Sequence, residues 1–425
     1  MKYIDSIMIE SVQSDDIATA KPNLLSLTRA TTKLIYLDLV ATQYLSQPSA
    51  ALYGVKYLNP NGDLTFSTGA TYTGKFGAKE RESLQTLTIE NASTFAKGQY
   101  FLYNNVVFKV MTASPFGATI TATDVSDLIM LGIGNGTIRM VSDSADVEQL
   151  ESTENISDAR FEIRKWTAEV KTRKIKTELT VELAQDLEAN GFDAPATIED
   201  LLATEIAEET NKDIIQSLIT VSKRLKIKGI TDSGYIDLSS VDVPMSQHGR
   251  DLYHYICEMV ASIQRDTSYS PNYVVASTRV ASILSSSGWL KQDPSQPQNA
   301  FGMLNNGLFV FVDTNSPLDY AIVGVKDKYG DTEAIGSLFY APYVAGIPSD
   351  ETDVDRVGTY KVITDPKSLS PKILLMTRYA LCVNPYTMGL DDDKAKIVDS
   401  TDLDNFVGQS KMSTILTVKL PQIVE

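Results

Sequence analysis

ARFEIRKWTAEVKTRKIKTELTVELAQDLEANGFDAPATIEDLLATEIAEETNKDIIQSLITVSKRLKIK, residues 159–228, is where a charged strand runs into a short helix and then into an unusually long one. In the strand, Trp166, Ala168 and Val170 alternate with Thr167, Glu169 and Lys171, the period of two of a half-buried strand. Phe161 and Ile163 fall on the opposite parity, which predicts a bulge near Lys165 that re-aims the chain. After Lys176 the period changes: Leu179, Leu183 and Leu187 recur at helical spacing, and Asn190-Gly191 supplies the stop. Ala194-Pro195-Ala196-Thr197 then starts a second helix, with Thr197 as N-cap and Asp200 completing a capping box. Ile198, Leu202, Ile206, Thr210, Ile214, Leu218 and Val221 form one stripe, uninterrupted by glycine or proline from Thr197 to Lys228. The pattern predicts a rod of roughly 40 Å with one buried face. Glu208 falls off that stripe, and Lys223, Arg224 and Lys226 crowd the predicted C-terminal end, where cations complement the helix dipole.

The rest of the chain bounds the function. A net charge of −16 over 425 residues argues against nucleic-acid recognition, which needs clustered lysine and arginine. The two cysteines, Cys257 and Cys382, make no disulfide framework, and no apolar run approaches a membrane span, so no membrane partner is expected. From Tyr57 to Ser152 the composition shifts to Thr, Gly, Ser and aromatics in short alternating runs, which predicts a small all-β domain. Within it, Phe101–Tyr103 and Val106–Val110 flank Asn104-Asn105, a hairpin signature.

Chemistry is thin. Gly69-Ala70-Thr71-Tyr72-Thr73-Gly74-Lys75 fits the first seven positions of a phosphate-binding loop, but Phe76 stands where a magnesium-binding Ser or Thr is required. Gly132-Ile133-Gly134-Asn135-Gly136 lacks the third dinucleotide glycine and reads as a turn. His248 and His254 fall on different helical faces, and Cys257 has no second pair of soft ligands nearby. Catalytic residues, a metal and a cofactor are therefore all expected to be absent.

A resemblance supplies the positive reading. Thr180 to Leu187 (Thr-Val-Glu-Leu-Ala-Gln-Asp-Leu), Leu202 to Ile206 and Glu209-Thr210-Asn211 resemble the signature of T-even-type bacteriophage major capsid proteins. Further words follow in the family's order: Asp16-Ile17 with Lys21-Pro22, Pro48 to Gly54, Tyr273 to Ser277, Phe339 to Val344, and Arg378-Tyr379 with Asn384-Pro385. Residues from about 55 to 155 match poorly.

The resemblance implies an α+β, HK97-like capsid fold. Residues 1–50 would be an N-terminal arm, and 51–158 an extended loop carrying the β-rich insertion at about 58–152. Residues 159–230 would form the peripheral strand and spine helix, 231–390 the axial domain, and 391–425 a C-terminal return to the peripheral domain. Ile198, Leu202, Ile206, Ile214 and Leu218 would be the structural spine, and Arg164, Trp166, Tyr103 and Phe108 candidate lattice contacts. The implied partners are copies of the chain itself in hexameric and pentameric capsomers, together with vertex, portal, scaffold and decoration proteins around double-stranded DNA. Members of that family begin with a segment removed after a glutamate; Met8-Ile9-Glu10 is an approximate match with little chain before it. Either the segment is lacking or the sequence starts beyond it. The alternatives are the pentamer-forming vertex paralogue, an encapsulin-type compartment and a carbohydrate-binding surface protein.

Overall fold

The computed structural model describes residues 34–421 apart from short gaps and longer segments at 61–69, 117–123, 149–155, 181–193, 292–298, 344–357, 365–370 and 385–402. The Leu179–Leu187 helix expected from sequence lies largely outside these residues, as do positions 1–33.

An eight-stranded mixed sheet forms the middle layer. Its central strand, Tyr273–Ser277, is buried throughout, pairing parallel with Phe309–Asp313 and antiparallel with Tyr320–Gly324. A run of apolar residues without alternation is what burial on both faces requires. Tyr273 and Val275 point into one core with Ile214, Ile215, Leu218 and Val221 of the long helix. Val274 and Ala276 point into another, closed by Leu252, Ile256, Met259 and Ile263 of the Met245–Thr267 helix and by Val280, Ala281 and Leu284 of the Thr278–Ser286 helix. A five-stranded sheet, in which Pro371–Val383 pairs with Leu338–Pro342, Gly358–Thr364 and Lys171–Glu178, packs on the same long helix.

The long helix spans Ala194–Val221. It starts three residues before the expected Thr197 cap, with Pro195 in the first turn where its missing N–H costs nothing. It ends well before Lys228, because Ser222–Arg224 leaves as a strand parallel to Ser410–Lys419. The basic cluster therefore works differently from a run of helical cations: Arg224 donates to the Ile219 carbonyl at 3.0 Å, and Lys223 pairs with Asp266. Burial is also wider than one stripe. Glu208, Asn211 and Ser217 are buried along with the stripe residues Leu202, Ile206, Thr210, Ile214 and Leu218, since strands of both sheets pack on the helix. Glu208, expected on an open face, is only 6% exposed.

Other expectations are corrected. No bulge interrupts Arg160–Glu169, which pairs residue for residue with Ser49–Leu58; the break comes at Val170, where the chain crosses to the five-stranded sheet. The last strand, Ser410–Lys419, joins the sheet of Tyr273–Ser277 through Tyr320–Gly324 and not the sheet containing Lys171–Glu178. The insertion is not all-β. Val125–Gly134 is a helix, capped by Asp124, whose Leu128, Ile129 and Gly132 pack on its three strands. Gly132 lies within this helix, and a Cβ there would meet the Ile138 side chain at 2.8 Å, so close packing and not a turn explains the glycine. The hairpin is as expected: Asn104 (φ 46°) and Asn105 (φ 62°) take the left-handed pair of a type I′ turn.

The described end of the arm is not extended but part of the core. Tyr36–Leu39 is a short helix, and Ala41–Thr42 pairs parallel with Leu338–Pro342. Asn211, buried in the long helix, accepts hydrogen bonds from the Ile35 and Tyr36 backbone N–H groups at 3.2 and 3.1 Å. It thereby satisfies two of the donors that a helix start leaves open. Asn211→Ala is expected to cost about 1–3 kcal/mol, because both donors lose their acceptor. Faster hydrogen exchange confined to residues 35–42 is the expected signature; unchanged protection there would show that these bonds hold nothing.

Candidate assembly surfaces

Two features give the subunit a mechanical character, and the first is a joint. Arg173, on Lys171–Glu178, donates through Nε to the Tyr379 hydroxyl at 2.6 Å, and that hydroxyl donates to Asp213 Oδ2 at 2.6 Å. The Arg173 guanidinium also pairs with Asp213 at 2.9 Å and Glu209 at 3.3 Å, both on the long helix. Burial disfavours its charge, yet the bonds to Tyr379 and Asp213 more than offset this and raise its pKa above the ordinary value. Burial likewise raises the Tyr379 pKa, and donation to Asp213 adds to the effect, so the phenol stays a donor. Two strands and the helix are thus tied by a charge-assisted network in which each guanidinium nitrogen takes a different partner, adding direction to the apolar packing.

The second feature is the ribbon formed by Ser49–Leu58 and Arg160–Glu169. Near its base Trp166 and Ala168 are buried in the main core. Further out, the other face carries Tyr57 opposite Phe161, then Ile163, then Tyr53 opposite Lys165, whose Nζ lies 5.7 Å from the Tyr53 ring. Tyr53, Tyr57, Phe161 and Ile163 are each 63–70% exposed. A two-stranded ribbon is marginal in water, and a contiguous row of large apolar side chains on one marks an interaction surface.

This changes the set of candidate contacts. Phe108 is buried in the insertion core and Trp166 in the main core, which leaves neither a surface for a neighbour. Tyr103 packs partly buried against the insertion core, and Arg164 lies in the ribbon with its backbone opposite Gly54. Of the spine residues, Leu202 and Ile206 are buried and Ile214 and Leu218 fully so; Ile198 belongs to the same helix. Sequence reading missed Tyr53, Tyr57, Phe161 and Ile163, although the off-parity Phe161 and Ile163 were a visible signal. That signal was assigned to a bulge on the premise that apolar means buried.

The remaining chemical candidates are structural. Lys75 donates its backbone N–H to the Asp143 carbonyl at 2.9 Å, and the helix that follows, Ala78–Glu82, is too short to serve a phosphate. His248 is buried with Nε2 at 2.9 Å from the Ser240 carbonyl, and Asn306 approaches the Cys257 sulfur at 3.8 Å. Among the described residues no His, Cys, Asp or Glu group is arranged to hold a metal, and no helix is long and apolar enough to cross a membrane.

The subunit thus has a braced helix between sheets and a ribbon with an exposed apolar row, and comparison with known proteins gives the class. Residues 17–418 match the family described as Major capsid protein Gp23, so the chain belongs to that family. It is a structural protein of a phage capsid, with the mixed helix and sheet architecture described above, assembling into the virion shell with other head proteins. A capsid vertex protein of Enterobacteria phage T4 is 52% identical over 429 residues, covering 100% of this chain and 99% of its own length. A major capsid protein of Vibrio phage KVP40 is 25% identical over 435 residues, covering 90% of this chain and 80% of its own. A solved chain from Mycobacterium phage Che8 superposes with a TM-score of 0.43 at 12% identity, covering 94% of this chain and 98% of that one.

Proposed function

We propose that this subunit occupies the vertices of the head as pentamers and is not the hexamer-forming major protein. What supports it is the contrast in identity: 52% along the whole chain to a capsid vertex protein against 25% to a major capsid protein. Its role is mechanical and not catalytic. Heterologous contacts between copies close a ring, and rings join a lattice that encloses DNA. Portal, scaffold and decoration proteins are its further expected partners in the head. Quantitative mass spectrometry of purified heads, with cryo-electron microscopy of heads carrying a tagged copy, tests the assignment. A minor component located at the fivefold positions is expected; a dominant component filling the sixfold positions would sink it.

Two surfaces carry the contacts. The exposed row Tyr53, Tyr57, Phe161 and Ile163 on the ribbon lies against an adjacent subunit, and the insertion at about 58–152 grips a neighbour as a clamp. Replacing the insertion by a short flexible linker should leave a folded core whose heads are less heat-stable, since each lost contact is repeated over the lattice. Heads of unchanged thermal stability would refute the clamp. Retention of the intact chain on chitin would instead favour a carbohydrate-binding role for the insertion.

A further inference from the structure

The outer face of the insertion sheet collects positive charge on an acidic chain. Tyr100, Lys109 and Arg139 are cross-strand neighbours in one row, on the face opposite Phe101 and Phe108, which fill the insertion core. Lys109 Nζ lies 5.4 Å from the Tyr100 ring centroid and Lys75 Nζ 5.8 Å, while the Phe76 ring packs on Tyr100 at 4.8 Å. Lys75 is held there by its backbone. Its N–H bonds the Asp143 carbonyl, and Gly74 lies so close that a Cβ would sit 2.3 Å from that same oxygen. Arg139 grips the Asp143 carboxylate with two bonds, at 3.1 and 2.8 Å. Neither Lys75 nor Lys109 forms an ion pair among the described residues, so three cations share one carboxylate. Asp143 reports the local field. The Arg139 hydrogen bond, and then the charges of Arg139, Lys109 and Lys75, hold its carboxyl below the usual range against the opposing effect of burial.

We propose that this face is the seat for an acidic surface of a second copy of this chain, the electrostatic part of the clamp. The inference rests on the clamp reading and names its chemistry. With a net charge of −16, the chain offers a facing copy predominantly acidic surface. A half-exposed tyrosine beside an arginine has the composition of an interface anchor, and the two lysines set the sign of its partner. Three cations are too few for the extended stripe that a nucleic-acid backbone needs. With ammonium groups over the Tyr100 ring, its face is not open for stacking a sugar.

The test uses the full chain with Lys75→Glu and Lys109→Glu together, as the only source of this protein during head formation. The purified variant should melt like the parent, because both side chains lie on the surface. Its incorporation into heads, read by mass spectrometry, should fall at least about tenfold, since like charges now face each other. As a second arm, release of the parent subunit from heads on heating should become easier as NaCl rises from about 0.1 to 1 M. Heads carrying Lys75→Gln and Lys109→Gln should lose that dependence. Normal incorporation of the charge-reversed variant, while loss of the insertion still weakens heads, would overturn the seat and leave the clamp standing. Normal behaviour of both variants would overturn both. Normal incorporation combined with charge-dependent retention of the free chain on heparin would assign the cluster to a soluble polyanion and overturn the proposal.

Discussion

Ile214→Asp is expected to yield no folded subunit and no heads containing it. Ile214 is fully buried in the core where the long helix meets both sheets, among Leu218, Tyr273, Phe311, Ile322 and Leu381. Replacement removes about 1.5–3 kcal/mol of apolar burial. It also places a carboxyl group in a cluster of apolar side chains, a further cost of several kcal/mol even after the group protonates. Together these rival the roughly 5–15 kcal/mol that holds a domain together. The control is Glu205→Gln, an exposed position on the same helix, expected to change stability by less than about 0.5 kcal/mol. Glu208 cannot serve as that control, since it is buried. Circular dichroism, thermal melts and head yield decide the matter; an Ile214→Asp subunit that melts and assembles like the parent would mean the helix is not the core of this fold.

What was legible in the sequence followed from local rules. The Asn104-Asn105 turn and the stripe of the long helix each carry their cause within a few residues. What was illegible depended on distant partners. Nothing local shows that Asn211 closes the backbone of Ile35 and Tyr36, or that Glu208 is covered. Nothing local shows which sheet Ser410–Lys419 will join, because its parallel pairing with Ser222–Arg224 depends on how the long helix delivers that short strand. The assembly surface was hidden for a different reason. Phe161 and Ile163 have the chemistry of core residues, and only the fold reveals that they are exposed and that no described residue covers this face.

Gly324→Val should be nearly as damaging as a buried charge, through a contact between residues far apart in sequence. Gly324 and Tyr273 stand directly opposite each other on adjacent antiparallel strands. The tyrosine ring lies across the glycine: a Cβ built on Gly324 would sit 2.2 Å from the Tyr273 hydroxyl oxygen and 2.3 Å from Cζ. The glycine is needed for space and not for an unusual backbone angle, a close approach that a glycine inside a strand often marks. Tyr273 cannot swing aside without leaving the core it shares with the long helix, so overpacking should cost about 3 kcal/mol or more, the upper end of its usual range. A double-mutant cycle isolates the cause. Tyr273→Leu removes the far end of the ring and destabilises by itself, as large-to-small core changes do. Combined with Gly324→Ala, however, its total cost should fall at least about 1 kcal/mol short of the sum of the single effects, because the Cβ then occupies vacated space. Strict additivity in urea melts would show that the ring does not rest on the glycine. The two cores would then have to be held in register by some other pair.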